Sequence, residues 1–254
     1  MNFADQSGFD VRFEWGLPGL EQMLPHVAIV VIVDVLSFST AVEAAVARGA
    51  EVLPFDRCGD EAAGYAETNN AFLAVSRKKR NASHNFSLSP VSLTKLNKDD
   101  RLVLPSPNGA TLSFKAAESG ITIVAGCLRN ARAVAEFCRS QKGPIAIIAA
   151  GEKRDGYGGP LRPAAEDLIG SGAIINRMGT LTLSPEAEVA RGAYRYLCND
   201  LSGAFINCAS GRELIEIGFE SDVLFAAEID VSSTVPVLVD RRFRVVGTDG
   251  EAAN

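Results

Sequence analysis

Four short runs of apolar, largely β-branched residues recur along the chain and predict buried β-strands. They lie at residues 27–33, 102–104, 121–124 and 145–149. Each run is followed by small or polar residues and then by apolar positions at helical spacing, which is the rhythm of a parallel sheet. Because the runs are apolar throughout, both faces of the sheet are expected to be covered. The pattern predicts an α/β fold, a three-layer α/β/α sandwich around a largely parallel sheet.

The same pattern places the helices. A helix over residues 39–48 is expected to end at Gly49, a residue type common at helix C-termini, and residues 50–55 resume as a strand. No repeat or convincing linker divides the chain, which predicts a single domain over residues 1–254. The remaining elements are predicted helices at residues 111–119, 131–138, 164–177, 184–200 and in the later part of 207–219, and a last strand at residues 235–239.

Between residues 77 and 98 the chain turns polar, beginning with Arg77-Lys78-Lys79-Arg80. The composition predicts a long surface loop. The basic run is compatible with a solvated loop and with a mobile flap that carries positive charge over an anionic substrate. The N-x-S sequons at Asn81 and Asn85 have no meaning unless the chain is secreted.

Charge and cysteine usage narrow the classes of partner. A formal charge of -6 argues against a broad surface for nucleic acid or anionic membrane, and neither partner is predicted. A small anionic substrate is still compatible, because a few local donors hold it. Five cysteines without a C-x-x-C pair, and no apolar leader segment, predict a cytoplasmic protein with reduced thiols. The apolar run at residues 27–33 is far shorter than the roughly 20 residues that span a bilayer.

Histidine is nearly absent, which restricts the chemistry. His26 and His84 are the two histidines, and neither has metal-ligand spacing or a nearby Ser or Cys nucleophile. Catalysis is therefore expected to use carboxylates, hydroxyls, amides and arginines. That set favours a hard cation bound through oxygen ligands.

Asp34 is the first candidate for such chemistry. It ends an apolar strand and is followed by Ser37, Ser39 and Thr40 at the start of a predicted helix. A carboxylate would then face hydroxyls and unpaired backbone N–H groups, an arrangement that suits a metal-bridged phosphate. The structural alternative is a helix N-cap formed by Ser39 or Thr40.

Two later post-strand loops offer contacts to a substrate. The turn at residues 105–109 would present Asn108 and the amide of Gly109 to a ligand oxygen, although a plain strand-to-helix connection uses the same residue types. In the next loop, Arg129 is a candidate for bidentate phosphate binding. Asn130 either caps the following helix or contacts the substrate.

Carboxylates gather again in and after the longest post-strand loop, residues 150–163. The helix that follows opens with two of them, which the helix dipole favours in any protein. A Mg²⁺ site that keeps water and substrate phosphate as its remaining ligands would instead recruit some of these carboxylates together with Asp34. The candidate metal ligands are Asp34, Glu152, Glu166 and Asp167, and the loop also carries Asp155 and Arg162.

Two further features lie outside these loops. Ser210-Gly211-Arg212 stands before a helix and makes Ser210 and Arg212 candidate anion contacts. Cys127 has no nearby histidine to activate it, so a buried structural thiol is expected there.

An ordered set of short motifs runs across nearly the whole chain. The set comprises Val33-Asp34-Val35-Leu36 with Ser39-Thr40, Ser89-Pro90, Asn108-Gly109, Gly126 with Asn130, Gly151 with Glu166-Asp167, Ser210-Gly211-Arg212, Gly218 with Asp222, and Val235-Pro236. Together these motifs resemble the 2-phosphosulfolactate phosphatase family. The resemblance implies an α/β/α fold, Mg²⁺ dependence, and hydrolysis of 2-phospho-3-sulfolactate to sulfolactate and phosphate on the route to coenzyme M.

The chain departs from the pattern of this family at three positions. Ser37 and Thr111 stand where the better-known members carry Arg, and Leu88 stands where they carry Asn. Charge-assisted contacts are the strong ones for a phosphate plus a sulfonate. Another small phosphate ester is therefore an alternative substrate.

The working hypothesis is a Mg²⁺-dependent phosphatase, predicted to be a homodimer, that acts on a small phosphorylated hydroxy acid. Direct attack by water and a phosphoryl-enzyme intermediate are both left open. The competing hypothesis is a small-anion-binding protein that kept the fold and lost the chemistry. Predicted catalytic residues are Asp34, Glu166 and Asp167, and predicted substrate-binding residues are Ser37, Ser39, Thr40, Asn108, Gly109, Arg129, Asn130, Ser210 and Arg212.

Overall fold

A computed structural model of the chain describes residues 3–77, 86–153 and 159–246. Within these ranges the strands are β1 (Val11–Trp15), β2 (Ile29–Val33), β3 (Glu51–Phe55), β4 (Phe72–Leu73), β5 (Arg101–Pro105), β6 (Thr122–Gly126), β7 (Ile145–Ala149), β8 (Glu152–Lys153), β9 (Leu161–Arg162), β10 (Pro236–Val239) and β11 (Arg242–Val245). The helices are α1 (Gly16–Met23), α2 (Phe38–Val46), α3 (Asp60–Thr68), α4 (Pro90–Leu93), α5 (Gly109–Ala116), α6 (Ala131–Ser140), α7 (Ala165–Ile175), α8 (Pro185–Leu197), α9 (Leu201–Asn207), α10 (Ala209–Glu216) and α11 (Glu220–Ala226).

Nine of the described strands form one sheet in the order β1-β7-β2-β6-β10-β11-β3-β5-β4. Two blocks of it, β1-β7-β2-β6 and β3-β5-β4, are parallel throughout. The antiparallel hairpin β10–β11 joins the blocks, with Val237 opposite Val124 and Phe243 opposite Val52. The prediction of a largely parallel sheet is confirmed. The joining hairpin was not predicted, because only its first strand is a continuous apolar run.

Helices cover both faces of this sheet. Val31 and Val33 of β2 point into one buried cluster, which contains apolar residues of α6, α7 and α8. Val30 and Ile32 point into a second cluster, with residues of α1, α2 and α5. A strand that is apolar at every position, as β2 is, buries both of its faces, and the predicted three-layer α/β/α architecture is confirmed.

Some elements differ from those that the pattern predicts. The first sheet strand, β1, was missed because Arg12 and Glu14 interrupt its apolar positions at the sheet edge. Helix α5 begins at Gly109 rather than at residue 111, and the helix expected over residues 184–200 changes to a 3-10 turn at Cys198.

The prediction of a surface loop over residues 77–98 is wrong for the part that the structure describes. Phe86, Leu93 and Leu96 are buried in the second cluster, beside α2 and β5. Apolar residues between the polar ones therefore anchor this segment to the core. Arg77 is not solvated either, since only 12% of its side chain is exposed. Several residues that the sequence singles out lie outside the described ranges. They are Lys78, Lys79, Arg80, Asn81, His84, Asn85 and Asp155.

Within the described ranges, no helix has the length and apolar character needed to cross a membrane. The single domain, the homodimer and the cytoplasmic location stay predictions.

Candidate active site

Asp34 links two loops at the end of the sheet. It follows the last residue of β2, and its side chain is buried. Its Oδ1 accepts a hydrogen bond from the backbone N–H of Phe38 at 3.2 Å, at the start of α2. Its Oδ2 accepts one from the backbone N–H of Gly109 at 2.8 Å, at the start of α5. The carboxylate is therefore held rigidly between the β2–α2 and β5–α5 connections.

Gly109 has to be glycine for this contact to form. A Cβ atom built on it would lie 2.3 Å from Cδ1 of Phe38 and 2.8 Å from Oδ2 of Asp34. The ring of Phe38 is packed in the core, so it cannot move aside cheaply. The absence of a side chain lets the backbone of the turn approach Asp34 closely.

Asp167 makes a second bridge of the same kind. It lies in the first turn of α7, as the sequence predicts, and it is buried. Its Oδ1 accepts from the N–H of Val35 at 2.7 Å, and its Oδ2 accepts from the N–H of Gly151 at 2.9 Å. Asp167 therefore ties the loop after β2 to the loop after β7.

The neighbouring carboxylate, Glu166, is also buried, and its Oε2 has no hydrogen-bond partner among the described residues. Glu152 is partly buried and accepts a hydrogen bond from Nδ2 of Asn108 at 3.1 Å. The Oδ1 atom of Asn108 also has no partner within the described residues. Buried polar atoms normally have a partner, so these two oxygens are suited to contact a ligand or cation.

The carboxylates shift one another's protonation. Burial, together with the negative charges of Glu152 and Glu166, raises the pKa of Asp34 to about 7, although the two backbone N–H groups oppose the shift. Burial also raises the pKa of Asp167 well above its usual range, reinforced by the charges of Asp34 and Glu166. The pKa of Glu152 is raised as well, again chiefly by burial. Joint ionisation of these groups is therefore unfavourable unless a positive charge compensates for it.

We expect the stability of the metal-free protein to fall as the pH rises from 5 to 8. The pKa of the Asp34 carboxyl group is 3.8 when it is exposed and about 7 in the folded protein. Between these two pH values the native state therefore binds more protons than the unfolded state. The slope contributed by one such proton is at most about 1.4 kcal/mol per pH unit. Urea unfolding in a chelating buffer at several pH values measures it.

The Asp34→Asn variant should lose part of this slope, because it removes the titrating group. Glu136→Gln, at an exposed position of α6, should leave the slope unchanged. A slope that is equal in the wild type and Asp34→Asn would contradict the raised pKa of Asp34.

A pocket of about 160 Å³ opens beside Asp34. Its lining combines the ends of β2 and β5 with the loop that carries Glu152. Apolar residues complete the wall, including Leu36, Leu88 and Pro107. The polar lining residues are Asp34, Ser37, Arg77, Ser106, Asn108 and Glu152.

Ser39 and Thr40 are buried inside α2, and their hydroxyls bond to backbone groups. Ser39 Oγ accepts from the N–H of Asp34 at 3.0 Å and donates to the carbonyl of Ile32 at 2.9 Å. Thr40 Oγ1 donates to the carbonyl of Val35 at 2.8 Å. The N-cap alternative is wrong for both residues, because α2 begins before them. Neither lines the pocket, and both fix the turn that carries Asp34.

Arg129 and Asn130 lie outside the pocket lining. Arg129 forms an ion pair with the buried Glu43 at 2.7 Å and stacks over the ring of Phe225, 3.7 Å from its centroid. Asn130 is fully buried, and its Oδ1 accepts from the N–H of Cys127 at 2.9 Å. Both side chains are engaged in holding the β6–α6 loop, and a role in substrate binding stays a prediction.

Ser210 and Arg212 belong to α10. The Oγ of Ser210 accepts a hydrogen bond from Arg162 Nη2 at 3.1 Å, whereas Arg212 is exposed. Neither lines the pocket.

Cys127 is a buried free thiol, as expected. Burial raises the pKa of this thiol to about 12, reinforced by the charge of Glu43. Its thiolate is therefore not available as a nucleophile at neutral pH.

Arg77 is the functional candidate that sequence reasoning did not select. It was interpreted only as part of a basic run, and no residue pattern indicates its burial. Its one distinguishing signal is that only Ser76 separates it from the short apolar segment at residues 71–75. In the structure Arg77 reaches the pocket and contacts Ser37.

Among the described residues, no three His, Cys, Asp or Glu side chains are placed so that they would hold a metal ion together. The assignment of Asp34, Glu152, Glu166 and Asp167 as metal ligands therefore stays a prediction. The structure brings three buried carboxylates and a partly buried fourth together at the carboxyl end of the parallel strands.

Comparison with known proteins identifies the family. Residues 19–241 match the model of the 2-phosphosulpholactate phosphatase family, which is most of the chain. The chain belongs to this family. Its membership confirms the resemblance carried by the ordered motifs, and with it the prediction of a phosphoric monoester hydrolase.

Relatives of this phosphatase family cover most of the chain at low identity. A probable 2-phosphosulfolactate phosphatase of Pseudothermotoga lettingae is 29% identical over 219 residues, which are 85% of this chain and 91% of the relative. The 2-phosphosulfolactate phosphatase of Methanothermobacter thermautotrophicus is 28% identical over 217 residues, 85% of this chain and 89% of the relative. A probable 2-phosphosulfolactate phosphatase of Thermosynechococcus vestitus is 26% identical, covering 81% of this chain and 87% of the relative.

Proposed function

We propose that this chain hydrolyses a small phosphorylated hydroxy acid, 2-phosphosulfolactate or a closely related phosphate monoester, with the help of Mg²⁺. The observation that carries the proposal is the group of carboxylates beside the pocket, in a chain of a phosphatase family. Such a group repels an anionic phosphate unless a cation compensates for it. A cation-dependent reaction is therefore the chemistry that this site supports best.

The residues present fit Mg²⁺ by their chemistry. All the donors are oxygens, and the Oε2 of Glu166 is buried without a partner among the described residues. Mg²⁺ is commonly bound by only one or two carboxylates, with water and substrate phosphate completing its shell. A site of this kind does not need three converging side chains. Asp34 with Glu166 or Glu152 would hold the ion, which when bound neutralises phosphate charge in the transition state.

Backbone contacts would hold the metal-binding carboxylate in one position, and two side chains would orient the substrate. Two backbone N–H groups hold Asp34 in one position, and Asp167 keeps the two loops beside it together. A fixed carboxylate needs no reorganisation during the reaction. The Ser37 hydroxyl and the Asn108 side chain border the pocket within reach of substrate oxygens.

If Asp34 and Glu166 hold the ion, Glu152 is free to move a proton instead. It borders the pocket, and burial raises the pKa of its carboxyl group, so that it holds a proton more readily than an exposed glutamate. A carboxylic acid in this position would protonate the alkoxide oxygen that leaves when the P–O bond breaks.

A phosphate-release screen tests the proposal. We expect the purified protein to release phosphate from 2-phosphosulfolactate or 2-phospholactate with Mg²⁺, and not in the presence of EDTA. Simple phosphate esters such as phenyl phosphate serve as comparison. If no ester is hydrolysed although calorimetry detects its binding, the chain is the non-catalytic binding protein and the proposal fails.

A further inference from the structure

Arg77 is held beside the pocket by a buried polar network. Its Nε donates to Asp222 Oδ2 at 2.9 Å, and Asp222 is fully buried. The other carboxylate oxygen of Asp222 accepts a hydrogen bond from the hydroxyl of Ser89. On the outer side, Arg77 Nη2 donates to the hydroxyl of Ser37, and the guanidinium lies 5.5 Å from the ring centroid of Phe219.

One edge of this guanidinium is left for a ligand. The Nη1 atom has no hydrogen-bond partner among the described residues, and the side chain borders the pocket. A guanidinium has five N–H donors in a plane, so it can keep one carboxylate on one edge and bind a second anion on another. Because Asp222 and Ser89 lie behind it, the group is fixed before any ligand arrives.

The free edge of the Arg77 guanidinium is the positively charged part of the pocket wall. Among the described residues that line it, Arg77 is the one basic side chain, and Asp34 and Glu152 are the acidic ones. The polar lining thus contains a carboxylate group with Asn108, and separately the Arg77–Ser37 pair. An anion without an accompanying cation is stabilised only at the second of these.

We propose that Arg77 selects substrates that carry a second anionic group, a carboxylate or sulfonate, beside the phosphate ester. The inference rests on the proposed function and deepens it. The phosphate is the group that Mg²⁺ would bind at the carboxylates, and Arg77 receives the anionic end of the rest of the molecule. Asp222 and Ser89 act through Arg77 as positioning residues.

This arrangement also bears on Ser37, the position at which the chain departs from the family motif. The small serine leaves room for the guanidinium of Arg77 at the entrance to α2, and its hydroxyl orients that group. A positive charge is therefore present at this wall of the pocket, although residue 37 itself is uncharged.

Binding of sulfolactate, which carries a carboxylate and a sulfonate but no phosphate, tests Arg77 without turnover. Titration calorimetry should give a Kd about 30-fold higher for Arg77→Met than for the wild type, with Arg77→Lys in between, since lysine keeps the charge and loses the planar donors. Arg132→Met, at a position whose side chain is 67% exposed, is the control and should bind like the wild type. Unchanged binding by Arg77→Met, or no binding by the wild type, would overturn the inference.

Removing Arg77 alone leaves Asp222 buried and unpaired, which can unfold the protein. The double variant Arg77→Met/Asp222→Asn removes both charges and is measured in parallel. It should remain folded by circular dichroism and bind sulfolactate as weakly as the single variant. Wild-type affinity in a folded double variant would refute the role of Arg77.

A pair of substrates separates selection from a general structural effect. For 2-phospholactate, Arg77→Met should raise KM about 30-fold with little change in kcat, whereas for phenyl phosphate kcat/KM should change less than about 3-fold. Equal losses on both would mean that Arg77 contacts the phosphate or only supports the fold, and would contradict the inference. If the wild type hydrolyses neither ester, the proposed function fails, while the sulfolactate measurement still decides on Arg77.

Discussion

Replacing Asp34 by Asn is expected to lower kcat of the phosphatase reaction by about 10³-fold or more while the protein stays folded. Asp34 borders the pocket, and both of its oxygens are fixed by backbone N–H groups. The amide keeps the volume but loses the negative charge that would bind Mg²⁺. Initial rates of phosphate release at saturating substrate and Mg²⁺ measure the effect.

The fold of Asp34→Asn has to be checked separately. The amide NH₂ would face one of the two backbone N–H donors, at a cost of about 1 to 3 kcal/mol in the free energy of unfolding. Circular dichroism and urea unfolding detect this loss. Glu136→Gln, an equal change at an exposed position, should keep wild-type activity and stability. Full turnover by a folded Asp34→Asn variant would remove Asp34 from the mechanism.

A large loss of stability is expected from Gly172→Ala. Gly172 lies in α7 where the helix crosses α8, and a Cβ atom there would stand 2.0 Å from the backbone carbonyl oxygen of Ala190. A backbone atom cannot rotate out of the way, so the two helices must separate. Such overpacking costs about 1 to 3 kcal/mol, and more where the backbone has to move. Chemical unfolding of the purified variant measures this cost.

Gly192→Ala is the matched control for this substitution. Gly192 lies in α8, is exposed, and has no atom within 4 Å of the position its Cβ would take. Because alanine is the better helix former, this variant should be as stable as the wild type or up to about 1 kcal/mol more stable. Similar stability of the two variants would show that α7 and α8 are not in close contact at Gly172. That contact matters for the site because α7 carries Glu166 and Asp167 in its first turn.

The local pattern determined the elements that build the centre of this protein. Strands β2, β5, β6 and β7 are continuous apolar runs, and a run of that kind has few alternatives to a doubly covered strand. The loops after them carry the polar candidates, because the carboxyl ends of parallel strands lie at the same end of the sheet. Glu166 and Asp167 in the first turn of a helix likewise follow from local composition.

The sequence by itself does not decide which of these candidates face one pocket. Ser39 and Arg129 have the residue types of a phosphate site, yet both side chains are occupied by backbone groups or ion pairs. Arg77 has the type of a solvated residue, yet it reaches the pocket because Asp222, 145 positions later, lies behind it. Burial and pairing depend on contacts between residues far apart in the chain, and these are set by the tertiary packing alone.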